Sequence, residues 1–70
     1  MMKISARNVF KGKVAEVRPG NVNTEVILDI PGGLQVVSMI SKESAANLGL
    51  KKGKTAYAVI KASSVMLAID

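Results

Sequence analysis

Cysteine and histidine are both absent from this chain of 70 residues. Their absence excludes a disulfide framework and the common zinc sites. A lone chain of this length buries only roughly 60% of the surface that its unfolded form exposes, so it is marginally stable by itself. Because 49% of the residues are hydrophobic, we expect further stabilisation to come from association with other copies of the chain.

Long apolar runs are also missing. No run approaches the roughly 20 residues that cross a bilayer. Residues 1–13 contain neither the apolar stretch nor the small-residue cleavage signal of a secretory leader. No linker, internal repeat or low-complexity tract divides the chain. The sequence therefore predicts one domain, residues 1–70, in the cytoplasm.

Acidic residues are scarce and unevenly placed. Ten Lys and Arg against five Asp and Glu give a net charge of +5, which favours an anionic partner: nucleic acid, a membrane surface or a small oxyanion. Residues 1–15 and residues 44–69 each contain four cations and no acid. If the fold joins the two ends, they form a basic region without carboxylates, although a single surface lysine ordinarily only aids solubility.

β-Branched residues and turn signals divide the first half of the chain into strands. Residues 14–17 and 22–30 flank the sequence RPGN (residues 18–21), which has the Pro, Gly and Asn that a tight turn requires. These segments form a predicted hairpin. Residues 34–40 follow a Pro-Gly-Gly connection and are predicted to form a third strand.

The second half begins with a helix signal. Ser41 is the predicted N-cap of a helix over residues 42–48, and Gly49 suits the left-handed position at its end. Residues 55–61 alternate as a fourth strand, and residues 65–69 are predicted to form a fifth. Five strands and one short helix predict an all-β fold, an OB-like Greek-key barrel.

The same absences argue against catalysis. Without His or Cys, and without a closely spaced pair of carboxylates, the usual general bases and nucleophiles are lacking. A serine without a neighbouring base is not activated. We therefore expect no enzymatic activity.

Aromatic residues are nearly absent, which bears on nucleic acid as a partner. OB-type modules for single-stranded nucleic acid stack bases on aromatic side chains, at about 1–3 kcal/mol per base. Here only Phe10 and Tyr57 could do so, and in so apolar a chain both are expected in the core. A nucleic-acid module of the OB type is thus the alternative function and the less favoured one.

Two segments at opposite ends of the sequence, ISARN (residues 4–8) and IKASSVML (residues 60–67), combine one cation with small and hydroxylated residues. A tetrahedral dianion offers only acceptors, so its pocket should present N–H groups, hydroxyls and cations, with no carboxylate nearby. A serine at a helix start adds a hydroxyl near the positive end of the helix dipole. Local capping of strand ends is the alternative role for such residues. The candidate oxyanion-binding residues are Ser5, Ala6, Arg7, Ser41, Lys61, Ala62 and Ser63.

The motifs also resemble those of a known family. ISARN followed by FKGKV, then SMIS opening a short helix that closes with LGL, and finally AYAVIKASSVMLAI are similar to the molybdate-binding Mop proteins, or molbindins. These are single copies of a TOBE-type domain, which also occurs in molybdate-responsive regulators and in the ATPase subunits of molybdate transporters. The similarity extends over essentially the whole chain.

The resemblance implies an OB-like barrel, a tight dimer whose chains share strands, and a homohexamer built from three such dimers. It further implies that molybdate or tungstate binds in pockets between subunits, for intracellular storage or homeostasis of molybdenum. No side chain would ligate the metal directly. The implied oxyanion ligands are Ser5, Arg7, Lys61 and Ser63, backbone groups of Ala6 and Ala62, and the hydroxyl of Ser41 at the helix start.

Overall fold

The computed structural model describes residues 3–70; Met1 and Met2, the first two residues of the predicted domain, lie outside the described residues. Four strands, one α-helix and one turn of 3-10 helix follow one another along this range. Their bounds are β1 (Asn8–Pro19), β2 (Asn23–Ile30), β3 (Leu34–Ser41), α1 (Lys42–Leu48), β4 (Thr55–Ile60) and the 3-10 turn (Ala62–Ser64).

The four strands form one antiparallel sheet in the order β3-β2-β1-β4, curled into a half-barrel. The long strand β1 joins its two halves, because its first part pairs with β4 and its second part with β2. The pairing with β4 extends from Asn8 opposite Ile60 to Lys13 opposite Thr55. The first strand and the last strand of the chain are therefore neighbours.

The core lies on one face of this sheet. In β2 every second residue from Thr24 to Ile30 is buried, which is the period of a strand with one face covered. Val14 of β1 and Ala58 of β4 are buried with them. The hydrophobic core consists of Val14, Val26, Leu28, Ile30 and Ala58.

A close crossing of β1 over the end of β2 requires glycine at position 12. A β-carbon placed there would lie 2.4 Å from the carbonyl oxygen of Asp29 and 2.7 Å from the Cδ1 atom of Ile30. A register shift follows between Val14 and Glu16, and such a bulge increases the local bend of a strand. Together these features bend β1 so that it pairs with β4 in its first part and with β2 in its second part.

Helix α1 has the predicted bounds, because both of its ends are capped as the sequence indicates. The Ser41 hydroxyl oxygen accepts a hydrogen bond from the Ser44 N–H at 3.0 Å, and Gly49 ends the helix with a φ of 63°. The Lys54 ammonium donates to the carbonyl oxygens of Leu48 at 2.7 Å and Gly49 at 3.2 Å. Within residues 3–70, no helix is both long enough and apolar enough to span a membrane.

The prediction of five strands is wrong for this chain: the described residues contain four. Residues 65–69 form no strand, and the side chains of Met66, Leu67 and Ile69 are 92%, 93% and 97% exposed. A strand exists only where it can pair with a neighbour, and after the 3-10 turn the segment pairs with no strand among residues 3–70. The apolar side chains whose alternation predicted the strand are therefore exposed to solvent.

Candidate functional site

The pairing of β1 with β4 brings the two ends of the sequence together. Asn8 begins β1 and lies opposite Ile60, the last residue of β4. Residues 5–7 precede β1 and residues 61–63 follow β4, so both segments lie at the same end of this strand pair. One open pocket of about 350 Å³ lies between them, and it is lined by Ser5, Ala6, Arg7, Lys61, Ala62 and Ser63.

The pocket is rich in hydrogen-bond donors. It contains the Arg7 guanidinium, the Lys61 ammonium and two serine hydroxyls. Ala62 and Ser63 begin the 3-10 turn, where a helical turn leaves its first N–H groups without an internal partner. This set of two cations, hydroxyls and backbone N–H groups suits a small anion that offers only acceptors.

The carboxylates of the sheet bind partners that lie outside the pocket. The guanidinium of Arg18, near the far end of β1, contacts Glu16 at 2.9 Å and Glu25 at 3.1 Å. The Arg18 hydrogen bond favours the charged form of Glu16 and lowers the pKa of that carboxyl group. Asp29 accepts a hydrogen bond from Gln35 at 2.8 Å. None of the six residues that line the pocket is acidic, so its two cations face no neutralising group there.

No metal site competes with this assignment in the described part of the chain. Among residues 3–70, no three Asp or Glu residues are grouped so that they could hold a metal ion. The donors and cations that line the pocket can form hydrogen bonds and charge interactions with an anion.

Comparison with known proteins identifies the family. A profile of the TOBE domain matches residues 4–67, a range that includes both segments lining the pocket. The chain is also 49% identical over 69 residues to the "Probable molybdenum-pterin-binding protein" of Haemophilus influenzae, covering 99% of this chain and 100% of that protein. This chain belongs to the Mop family of TOBE-domain proteins.

Solved structures agree with this assignment to the Mop family. MopII from Clostridium pasteurianum superposes with a TM-score of 0.91 at 45% identity, over 96% of this chain and 100% of that chain. The cytoplasmic molybdate-binding protein ModG, in a form with molybdate bound, gives a TM-score of 0.95 at 48% identity. That alignment covers 99% of this chain and 49% of the ModG chain. The predicted resemblance to the Mop family is thus confirmed.

Ser41 is the one predicted site residue that lies apart from the others in this Mop chain. It ends β3 and is paired with Asn23 at the start of β2, on the strand at the opposite edge of the sheet from β4. Its hydroxyl caps the helix by accepting from the Ser44 N–H, and it also donates to the Ser44 hydroxyl at 2.9 Å. A role for Ser41 in anion binding therefore needs a pocket that a neighbouring chain helps to form.

The expectation that Phe10 and Tyr57 lie in the core is wrong: their exposed fractions are 38% and 50%. Phe10 is opposite Ala58, whereas Tyr57 is opposite Lys11. Since successive residues of a strand face opposite sides of the sheet, the two rings lie on opposite faces. They cannot form one platform on which successive bases stack, so their exposure does not favour the nucleic-acid alternative.

Sequence reasoning assigned no role to Asn8, although it belongs to the ISARN motif. Its side-chain amide donates a hydrogen bond to the Ile60 carbonyl oxygen at 3.3 Å. The two residues are 52 positions apart, so only the strand pairing reveals the contact. The one signal in the sequence for a role of Asn8 was its position directly after the candidate donors Ser5 and Arg7.

Proposed function

We propose that this protein binds molybdate, and also tungstate, in the pocket between residues 5–7 and residues 61–63. The observation that supports the proposal most is that six predicted anion-binding residues, from both ends of the sequence, line one pocket without a carboxylate. The presence of bound molybdate in the related ModG supports the same ligand. We further propose that the protein is a non-enzymatic, cytoplasmic store or buffer of molybdenum.

The physical basis is the balance between lost hydration and new hydrogen bonds. At neutral pH molybdate is a dianion, and removing it from water is costly unless donors replace the water. Arg7 and Lys61 supply two charge-assisted hydrogen bonds, which are about twice as strong as neutral ones. Ser5, Ser63 and backbone N–H groups supply the neutral donors. The side chains bind the oxygens of the anion and do not ligate the metal.

Selectivity follows from protonation and from size. A phosphate that carries a proton has less negative charge than molybdate and brings an O–H donor into a pocket whose charged side chains can only donate, so it matches the pocket less well. Sulfate has the same charge as molybdate and differs mainly in size. The separation of the Arg7 segment from the Lys61 segment must therefore make that distinction.

The pocket is incomplete in one chain, and we propose that a second chain closes it. Arg7, Lys61 and Ser63 are all exposed, and a site open to water screens its charges. The exposed and mostly apolar tail, residues 65–70, provides surface for a partner. So do the outer edges of β3 and β4, which pair with no further strand within residues 3–70. We propose a strand-sharing dimer, three of which form a hexamer. An anion bound between chains then stabilises the assembly by mass action.

Separate titrations of candidate ligands test the proposed function. Molybdate, tungstate, sulfate, phosphate and a single-stranded oligonucleotide are titrated separately into the protein, with heat recorded by calorimetry and mass by native mass spectrometry. We expect binding of the two metal oxyanions, at least tenfold weaker binding of sulfate and phosphate, and none of the oligonucleotide. Binding of the oligonucleotide without binding of molybdate would contradict the proposal and support the nucleic-acid module.

Ser41 offers a separate test of whether a neighbouring chain contributes to the pocket. Asp and Asn both cap helices as well as Ser does, so Ser41→Asp and Ser41→Asn keep α1 intact while only the first adds a negative charge. If Ser41 of another chain faces the anion, Ser41→Asp weakens molybdate binding by about tenfold, whereas Ser41→Asn weakens it less. Equal affinity in Ser41→Asp and the unaltered protein would remove Ser41 from the site.

A further inference from the structure

Asn8 lies at the position from which the two pocket segments, residues 5–7 and residues 61–63, separate. It is the first residue of β1, and Ile60, its partner in the sheet, is the last residue of β4. The Asn8 side chain is half-buried, and its Nδ2 atom donates to the Ile60 carbonyl oxygen at 3.3 Å. Residues 5–7 and residues 61–63 continue from these two positions and line the pocket.

Beyond this point the two segments are not joined. Within the described residues, no hydrogen bond connects residues 4–7 to residues 61–65; the bonds near the pocket are Ser64 N–H to Lys61 oxygen at 2.8 Å and Val65 N–H to Ala62 oxygen at 3.2 Å. Both of these lie inside the second segment. The amide of Asn8 is therefore the last side-chain link between the segments before they separate.

We infer that Asn8 is a positioning residue of the oxyanion site, fixing the separation between the Arg7 segment and the Lys61 segment by its hydrogen bond to the Ile60 carbonyl. The inference rests on the proposed molybdate function. A half-buried amide bonded to its strand partner restricts the angle at which the chain enters β1. Catalytic and binding sites need donors held to within a fraction of an ångström, because misplaced donors lose much of their hydrogen-bond energy.

The separation of the segments matters most for ions of equal charge and different size. When the link is lost, the segments can close around a smaller anion or open around a larger one. The pocket then discriminates less between molybdate and sulfate. A simple loosening of the strand end, in contrast, weakens binding of both ions by the same factor.

The test compares Asn8→Ala and Asn8→Leu with the unaltered protein. Leucine has the same branched arrangement of four side-chain heavy atoms as asparagine but no amide, so comparing it with alanine separates the loss of the hydrogen bond from the loss of packing. Gln35→Ala is the matched control, because it removes another cross-strand side-chain hydrogen bond, to Asp29 at 2.8 Å, far from the pocket. Calorimetry gives the affinities for molybdate and sulfate, and circular dichroism verifies that each variant is folded.

We expect both Asn8 variants to bind molybdate roughly two- to tenfold more weakly and to show a lower ratio of molybdate to sulfate affinity. Gln35→Ala should match the unaltered protein. Unchanged molybdate affinity in Asn8→Leu, or an equal loss for both anions, would overturn the positioning role and leave the proposed function intact. Failure of the unaltered protein to bind molybdate would overturn the proposed function itself.

Discussion

We expect replacement of Arg7 by alanine to weaken the proposed molybdate binding by about ten- to a hundredfold, and Lys61→Ala to have an effect of similar size. Each substitution removes a hydrogen bond to a charged group, which contributes about 1.5–3 kcal/mol, and a factor of ten in affinity corresponds to about 1.4 kcal/mol. Both side chains are exposed, so the fold should survive. Isothermal titration calorimetry with molybdate measures the change.

Lys11→Ala is the control for this pair of variants. It removes the same charge from an exposed position of β1, opposite Tyr57 and outside the pocket. If the net charge alone attracts the anion, all three variants lose affinity equally, and the loss disappears at high salt. Normal molybdate affinity in both Arg7→Ala and Lys61→Ala would remove these residues from the site.

Deleting residues 65–70 should abolish the proposed dimer, and any larger assembly built from it. This tail carries Met66, Leu67 and Ile69, each more than nine-tenths exposed in the single chain. Burial of apolar surface contributes roughly 25 cal/mol per Å², and each copy of the chain would add its tail to the interface. We expect the truncated protein to sediment as a monomer in analytical ultracentrifugation while the unaltered protein sediments as an oligomer.

Val22→Ser is the control for the truncation. Val22 is also apolar and 73% exposed, but it lies in the turn between β1 and β2. Its substitution should leave the mass of the assembly unchanged. A truncated chain that keeps the mass of the unaltered oligomer would show that the tail is not shared between chains.

Local signals predicted the helix and most strands correctly because they act within a few residues. Ser41 and Gly49 cap α1 at the expected positions. The start of β1 was missed since residues 8–13 include Gly12 and two lysines, a composition that does not resemble a strand. Gly12 is needed there because of Asp29, a residue distant in sequence. Such long-range contacts cannot be read from local composition.

The two wrong predictions have a common physical cause. Residues 65–69 alternate as a strand does, and Phe10 and Tyr57 have the apolar character of core residues, yet all are exposed in one chain. Hydrophobicity predicts that a surface will be covered but not which chain covers it. Charge and donor content selected two segments of the sequence, and the pairing of Asn8 with Ile60 brings these segments together. Their role in anion binding stays a prediction.

The most direct test of the oxyanion pocket is a crystal structure of the protein with tungstate, whose anomalous scattering locates the ion independently of the protein. We predict an anomalous peak between residues 5–7 and residues 61–63, with oxygens within hydrogen-bond distance of Arg7, Lys61 and Ser63. A peak elsewhere on the sheet, with the Arg7 and Lys61 side chains directed into bulk water, would contradict the proposed site.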